Sequence, residues 1–248
     1  MAEFNVFGPP PPNIYTCSYV WSFRPDGTIY FGFGRKVPPN SRLKQVNRGK
    51  YIKCGAAGTA AKYHGKWVSL GGSVNKRAKT LIDAALMEIN EESATRFFQK
   101  SNLIIPWIPK KNNQPSKNVI LIAANKLTSS NTYAFVFMIP CWTTFISIFP
   151  HIKKPQHIRC GQTIVTSSKG EIDAIASYSI NDIIKMQVYA QNASTPNNHF
   201  TRYTLTTLVY WTLPQILQNF NDVISISPKI IDTIKALAKT PDINPRIP

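Results

Sequence analysis

The order of elements along this chain predicts an α/β fold, in which a sheet is packed by helices. Three observations carry that expectation. A hairpin signal opens the ordered part of the chain. One strongly periodic helix, residues 79–99, lies between two groups of strand-like runs. Helical runs then close the sequence. With 43% hydrophobic residues over 248 positions, the chain has enough apolar material to bury a core.

Each element has its own signal. Residues 7–13 carry four consecutive prolines and predict a stiff polyproline-II arm. Residues 18–24 and 28–35 are apolar runs on either side of Pro25-Asp26-Gly27, which predicts a β-hairpin. Residues 36–48 are basic, contain a Pro-Pro pair and read as a loop, while 51–63 are ambiguous between strand and loop. Residues 67–70 form a short apolar strand running into Gly71-Gly72. In the helix, Leu81, Ile82, Ala85, Leu86 and Ile89 repeat at three-to-four spacing on one face. Residues 118–124 and 133–139 are strand-like around a polar turn, and 142–149 offer a further strand. Residues 151–168 are basic and less regular, and 171–178 are short and mixed. A short helix over 179–186 is capped by Ser179 or Asn181. After a polar loop at 191–198, a helix over 204–220 is interrupted at Pro214, and 228–239 form a final amphipathic helix before a loose tail.

The charge is the strongest global feature. Twenty-nine Lys and Arg stand against 12 Asp and Glu, a net +17, which points to a polyanionic partner such as nucleic acid, a nucleotide or an acidic surface. The longest apolar run falls short of the roughly eighteen residues of a membrane span, and the N-terminus lacks the basic leader and apolar stretch of a signal peptide. The expected location is therefore intracellular, cytoplasmic or nuclear, or else virion-associated, with no membrane partner. Cys17, Cys54, Cys141 and Cys160 are far apart and form no Cys-x-x-Cys pair, so they read as reduced thiols. His64, His151, His157 and His199 lack metal-ligand spacing. There is no phosphate-binding Gly-Lys-Ser/Thr loop, and Gly32-Phe33-Gly34 lacks the rest of a dinucleotide fingerprint.

Acidic residues are scarce, yet Asp83, Glu88, Glu91 and Glu92 share one helix. Glu88, Glu91 and Glu92 stand at i, i+3 and i+4, which gathers three carboxylates on one side of it. Like charges so close need neutralisation, either by Lys and Arg or by a hard cation such as Mg²⁺ or Mn²⁺. The Gly71-Gly72 turn ahead of the helix lets backbone N–H groups approach phosphate oxygens. The plain alternative is a solvated acidic face paired with nearby lysines.

The stretch GGSVNKRAKTLIDAALMEINEESAT resembles the box of the Nudix hydrolase family, G-x5-E-x7-R-E-U-x-E-E-x-G-U, with U a bulky aliphatic residue. Met87 to Thr95 lie on the R-E-U-x-E-E-x-G-U half, which puts Glu88, Glu91 and Glu92 on the three metal-binding glutamates. Gly71-Gly72 lie on the glycine turn with one extra residue before the helix. The box arginine is Met87, the box glycine is Ala94, and the first box glutamate falls at Ala78 or Lys79 and is absent. In the family that glutamate and arginine brace the loop against the helix, so both halves of the brace are missing together. Weaker likeness extends over residues 15–186, through the opening hairpin and the segment from Glu171 to Ser179.

The resemblance implies an α/β/α sandwich with a mixed sheet. Residues 1–14 would be the proline-rich arm, 15–190 the Nudix-like domain, and 191–248 a C-terminal helical extension packed on it. It further implies metal-dependent hydrolysis of a nucleoside diphosphate linkage. Glu88, Glu91 and Glu92 would hold Mg²⁺ or Mn²⁺ and Glu92 or Glu171 would take a proton from the attacking water. Gly71, Gly72, Arg35, Lys76, Arg77 and Lys79 are the phosphate or substrate-binding candidates. Trp67 and Tyr178 are the candidates for stacking on a base. A net +17 suits a long anion such as the 5′ end of RNA, and Nudix proteins that remove mRNA caps occur among eukaryotes and large DNA viruses. The competing expectation is a catalytically inactive Nudix fold that binds RNA or serves in a nucleoprotein or viral assembly.

Overall fold

The computed structural model describes residues 13–23, 28–37, 42–45, 51–53, 64–74, 77–94, 120–127, 132–140, 148–151, 164–165, 171–192, 199–220 and 226–239. The proline arm up to residue 12, the loop holding Lys76, most of the strand expected at 142–149 and the C-terminal tail lie outside them.

The opening hairpin forms as its P-D-G turn predicts. Strand β1, Asn13–Phe23, pairs antiparallel with β2, Ile29–Lys36, from Val20 opposite Gly32 to Phe23 opposite Ile29. Further along, the two strands part. Strand β5, Trp67–Val68, pairs with β2 at Gly34 and Arg35. The residues after it cross over to β1: the N–H of Ser18 donates to Leu70 O at 2.7 Å and that of Thr16 to Gly72 O at 2.9 Å. The chain from Trp67 to Gly72 thus fills a wedge between β1 and β2, changing partner at Ser69.

Strand β7, Thr132–Pro140, runs parallel to β1 over nine register pairs, and β6, Ile120–Leu127, is its antiparallel neighbour. On the other edge of β2 lies β9, Ile172–Ser179. The sheet is therefore mixed. Residues 36–48, read as a loop, contain strand β3, Arg42–Gln45, which pairs with β4, Tyr51–Lys53, and β8, Ile164–Val165, in a second small sheet. Its basic residues carry no period-two apolar pattern, so pairing rather than burial makes it a strand. The segment read as short and mixed, 171–178, is an eight-residue strand paired with β2. Its apolar residues occupy both faces, and a strand covered on both sides loses the alternation that marks a half-exposed one.

Helices cover both faces. On one face Tyr19, Trp21, Phe31, Phe33 and Tyr178, each fully buried, pack with Ile183, Leu205, Leu208, Leu213 and Ile216. These come from α2 (Ile180–Asn192), α3 (Arg202–Thr207), α4 (Leu213–Phe220) and the π-helical turn Leu208–Thr212 between them. Each such side chain contributes roughly 2–3 kcal/mol by leaving water. On the opposite face Val20, Ile139 and Phe149 meet Leu81, Ala85, Leu86 and Ile89 of α1, Leu81–Glu92. The chain is thus a mixed α/β fold whose C-terminal helices share a core with the sheet. The final helix, α5, is Pro228–Lys239.

Local chemistry sets the helix ends. Thr80 caps α1 by accepting from the Asp83 N–H at 3.1 Å. Ser179, not Asn181, caps α2: its Oγ accepts from Asp182 N–H at 3.1 Å while Asp182 Oδ2 accepts from the Ser179 N–H at 3.1 Å, a reciprocal cap. The interruption expected at Pro214 is the π-turn just before it. Leu213 N–H donates to Leu208 O, five residues back, and the next residue is the proline that has no N–H to give. No helix among the described residues is long and apolar enough to cross a membrane.

Candidate functional site

Period-two alternation along β2 determines which of its basic residues reaches the acidic helix. Ile29, Phe31 and Phe33 face the α2–α4 core, so Arg35 shares that side. Gly32 and Gly34 face the opposite side, where a methyl group on Gly32 would strike the Phe149 ring and one on Gly34 would meet Leu70. Lys36 follows them onto that side, toward α1.

There Lys36 Nζ lies 3.5 Å from Glu92 Oε1 and 3.9 Å from Glu171 Oε2. Glu92 comes from the last turn of α1, and Glu171 from the residue before β9. Glu171 is held at its backbone by the N–H of Val37, which donates to its carbonyl at 3.0 Å. The other oxygen of Glu92, Oε2, accepts the N–H of Gly71 at 2.8 Å. Glu88, one turn earlier, lies across Gly72: a methyl group there would sit 2.8 Å from its carboxyl carbon. The fold thus brings Glu88, Glu92, Glu171, Lys36, Gly71 and Gly72 together. Glu91, partly buried on the same helix, contributes its backbone carbonyl to the helix end, accepting from Ala94 N–H at 3.3 Å.

The environment of Glu92 is unusual for a carboxylate. Its side chain is 4% exposed, and burial pushes its pKa up from 4.5 to about 7. Lys36 and the Gly71 N–H oppose the rise, whereas the charges of Glu88 and Glu171 add to it. Oε1 is buried and accepts no hydrogen bond. Near neutrality this group exchanges a proton readily.

Glu92 ties Gly71 to α1, Glu88 lies beside Gly72, and Met87 points outward, 36% exposed. Ala94 has φ +53°, the left-handed conformation that ends a helix and favours glycine.

Other candidates are placed differently. Arg35 is not extended toward a phosphate: its Nε and Nη2 donate to Oδ1 and Oδ2 of buried Asp173, both at 2.8 Å, and its guanidinium lies over the Trp67 ring. A β-bulge between Arg35 and Lys36 passes over Asp173 in the β9 register and lets this pair form. Trp67 and Tyr178, the stacking candidates, are core residues. Trp67 is 4% and Tyr178 0% exposed, and each ring packs edge-on against its neighbours at 5.1–5.6 Å, so neither offers a face to a base. Arg77 and Lys79 are exposed before α1, and Lys76 lies outside the described residues. Cys17 is a buried thiol bonded to Ser69 and pushed up to about 12, which makes it a poor nucleophile.

Sequence reasoning missed Lys36 and Asp173. Lys36 was legible: counting by twos from Phe31 and Phe33 assigns Arg35 to their face and Lys36 to the other. Asp173 was not, because its pairing depends on the bulge.

Among the described residues no three His, Cys, Asp or Glu side chains stand close enough together to hold a metal ion. The donors nonetheless suit a hard divalent cation in kind, being carboxylate oxygens, one of them buried without a hydrogen bond. Lys36 is the cation that now stands between Glu92 and Glu171.

No protein-family model matches the chain, and no curated protein matches it. Among solved structures it is similar to the crystal structure of DR0079 from Deinococcus radiodurans, with 9% identity and a TM-score of 0.32 over 80% of this chain and 85% of that one.

Proposed function

We propose that this chain is a Nudix-type hydrolase that cleaves a nucleoside diphosphate linkage, in capped RNA or a nucleotide derivative. The observation that carries the reading is the buried Glu92, which accepts the N–H of Gly71 in the glycine turn and shares the Lys36 ammonium with the distant Glu171, one helical turn from Glu88 beside Gly72. An acidic surface helix would have no need of a buried glutamate tied to a glycine loop. Further support comes from the mixed sheet with helices on both faces, the arrangement the family's α/β/α sandwich requires, and from the left-handed backbone at Ala94.

In this reading Glu88, Glu91 and Glu92 would hold Mg²⁺ or Mn²⁺, which when bound would polarise a phosphoryl oxygen and make water a better nucleophile. The chain's own residues do the rest. Glu92 fixes the glycine turn, so the loop is rigid when a diphosphate arrives. Glu171, with its side chain 38% exposed, is the carboxylate that solvent water reaches, and it takes the proton of the attacking water. The surplus positive charge draws the polyanion toward the site.

A second reading, a non-catalytic module that binds RNA in a nucleoprotein or viral assembly, is favoured by the ion pairs of Lys36, which neutralise the carboxylates without metal. Hydrolysis of cap-labelled RNA and a panel of nucleoside diphosphate derivatives with Mg²⁺ or Mn²⁺ separates the two. Turnover by the native chain that drops at least about a hundredfold in Glu91→Gln and Glu171→Gln is the expected result. RNA binding without turnover on any substrate, unchanged in both variants, leaves the second reading.

A further inference from the structure

The positive charge of this chain is unevenly placed. Residues 27–82 carry 12 Lys and Arg and no Asp or Glu. Within them lie two strands of the small sheet, whose order is β4-β3-β8. Register partners share a face of a sheet, and so do residues two apart on one strand. Arg42 opposite Lys53 and Lys44 opposite Tyr51 therefore take one face, and Ile164, paired with Lys44, joins them. Leu43, Ile52 and Val165 take the other. Such a division suits a sheet that packs by one face and meets water or a charged partner with the other. The small sheet adjoins the end of the main sheet that holds Lys36 and Glu171, since β3 follows β2 and β8 lies beside β9. We propose that the face carrying Arg42, Lys44, Tyr51 and Lys53 is a binding platform for single-stranded RNA, holding the body of a strand whose 5′ end reaches the site at Glu92 and Glu171; the inference rests on the reading of RNA as the ligand.

Arg42 directly opposite Lys53 is unfavourable by itself, because like charges across a strand pair repel. A polyanion laid over them turns that repulsion into attraction. The arrangement also matches what an unpaired nucleic-acid strand presents. Residues two apart on a strand stand about 7 Å from each other, and neighbouring strands lie roughly 4.8 Å apart. One row, Lys53 and Arg42, offers two cations to phosphates. The next row, Tyr51, Lys44 and Ile164, offers an aromatic and an aliphatic residue to a base, with a cation between them. A duplex keeps its bases stacked inside, and an anionic membrane has no base for Tyr51, so a single strand is the occupant that uses both rows. Tyr51 thereby takes the stacking role that Trp67 and Tyr178, buried in the core, do not fill.

The test is fluorescence anisotropy of a labelled oligouridine over a range of salt concentrations. It compares the native chain with Arg42→Gln/Lys53→Gln and with Lys185→Gln/Lys229→Gln, which removes two exposed cations from α2 and α5. The sheet variant should bind about tenfold or more weakly, and its slope of log affinity against log salt should be shallower by about 1.4, the loss of two phosphate contacts. The helix variant should stay within about twofold of native. Tyr51→Leu should bind about fivefold or more weakly, and Tyr51→Phe like the native chain. Equal losses in the two double variants, equal affinities for Tyr51→Leu and Tyr51→Phe, or binding to phosphatidylserine vesicles without binding to RNA overturn the inference. A native chain that hydrolyses a nucleoside diphosphate derivative but binds no RNA overturns this inference alone. RNA binding through the sheet with no hydrolysis of any substrate upholds it and sinks the hydrolase reading. Because a substitution in so small a sheet can unfold it, a second measurement uses the native chain. Reductive methylation of Lys44 and Lys53, read by mass spectrometry, should slow several-fold on adding oligouridine, with Lys185 and Lys229 keeping their rates, and unchanged rates at Lys44 and Lys53 refute the platform.

Discussion

Glu92→Gln turns the burial of this carboxylate into a measurable pH dependence. In the folded chain Glu92 titrates near 7, against 4.5 when exposed. Between those values the folded protein holds a proton that the unfolded chain has released, so this group's contribution to stability is complete below about 4.5 and is lost as the pH rises to 7. A rise of that size corresponds to about 3 kcal/mol. Glutamine has nearly the same shape, its amide oxygen can still accept the Gly71 N–H, and it never ionises. Urea unfolding of the native chain and Glu92→Gln, in chelator, at pH 5 and pH 8 gives the comparison. Relative to the variant, the native chain should lose about 3 kcal/mol between the two conditions, with the loss centred between 4.5 and 7. A stability difference that does not change with pH would show that Glu92 is solvated or fully ion-paired, and the reasoning about its burial would fail.

Substitutions at the two glycines should separate backbone from side-chain effects. A methyl group on Gly71, at φ +156°, would run into the Thr16 carbonyl, so Gly71→Ala should cost about 2 kcal/mol or more in thermal or urea unfolding. On Gly72 the obstacle is the mobile end of Glu88, so Gly72→Ala should cost less stability but weaken Mn²⁺ binding. Ala94→Gly should raise stability by about 1 kcal/mol, since it relieves the left-handed backbone at the end of α1, and no gain would mean that position is unstrained. Asp173→Ala leaves the Arg35 guanidinium, 11% exposed, without its carboxylate and should cost about 3–5 kcal/mol, with Arg35→Met/Asp173→Leu recovering much of it in the same assay.

What could be read from the sequence was whatever depends on near neighbours in the chain. The hairpin around Asp26-Gly27, the apolar stripe of α1, the break at Pro214 and the limits of α5 all follow from spacing of a few residues, and they stand where they were expected. So does the clustering of Glu88 and Glu92 on one helix beside a glycine turn. The rest depends on contacts between distant segments. β9 shows no alternation because helices cover both its faces, and β3 is a strand only because β4 and β8 supply partners. Whether Trp67 and Tyr178 are stacking aromatics or core residues is decided only when the sheet and C-terminal helices close over them. Only tertiary structure placed Lys36 between Glu92 and Glu171, since hydrophobic patterning gives the side of a strand a residue takes, but not which charge from a remote element will stand opposite it.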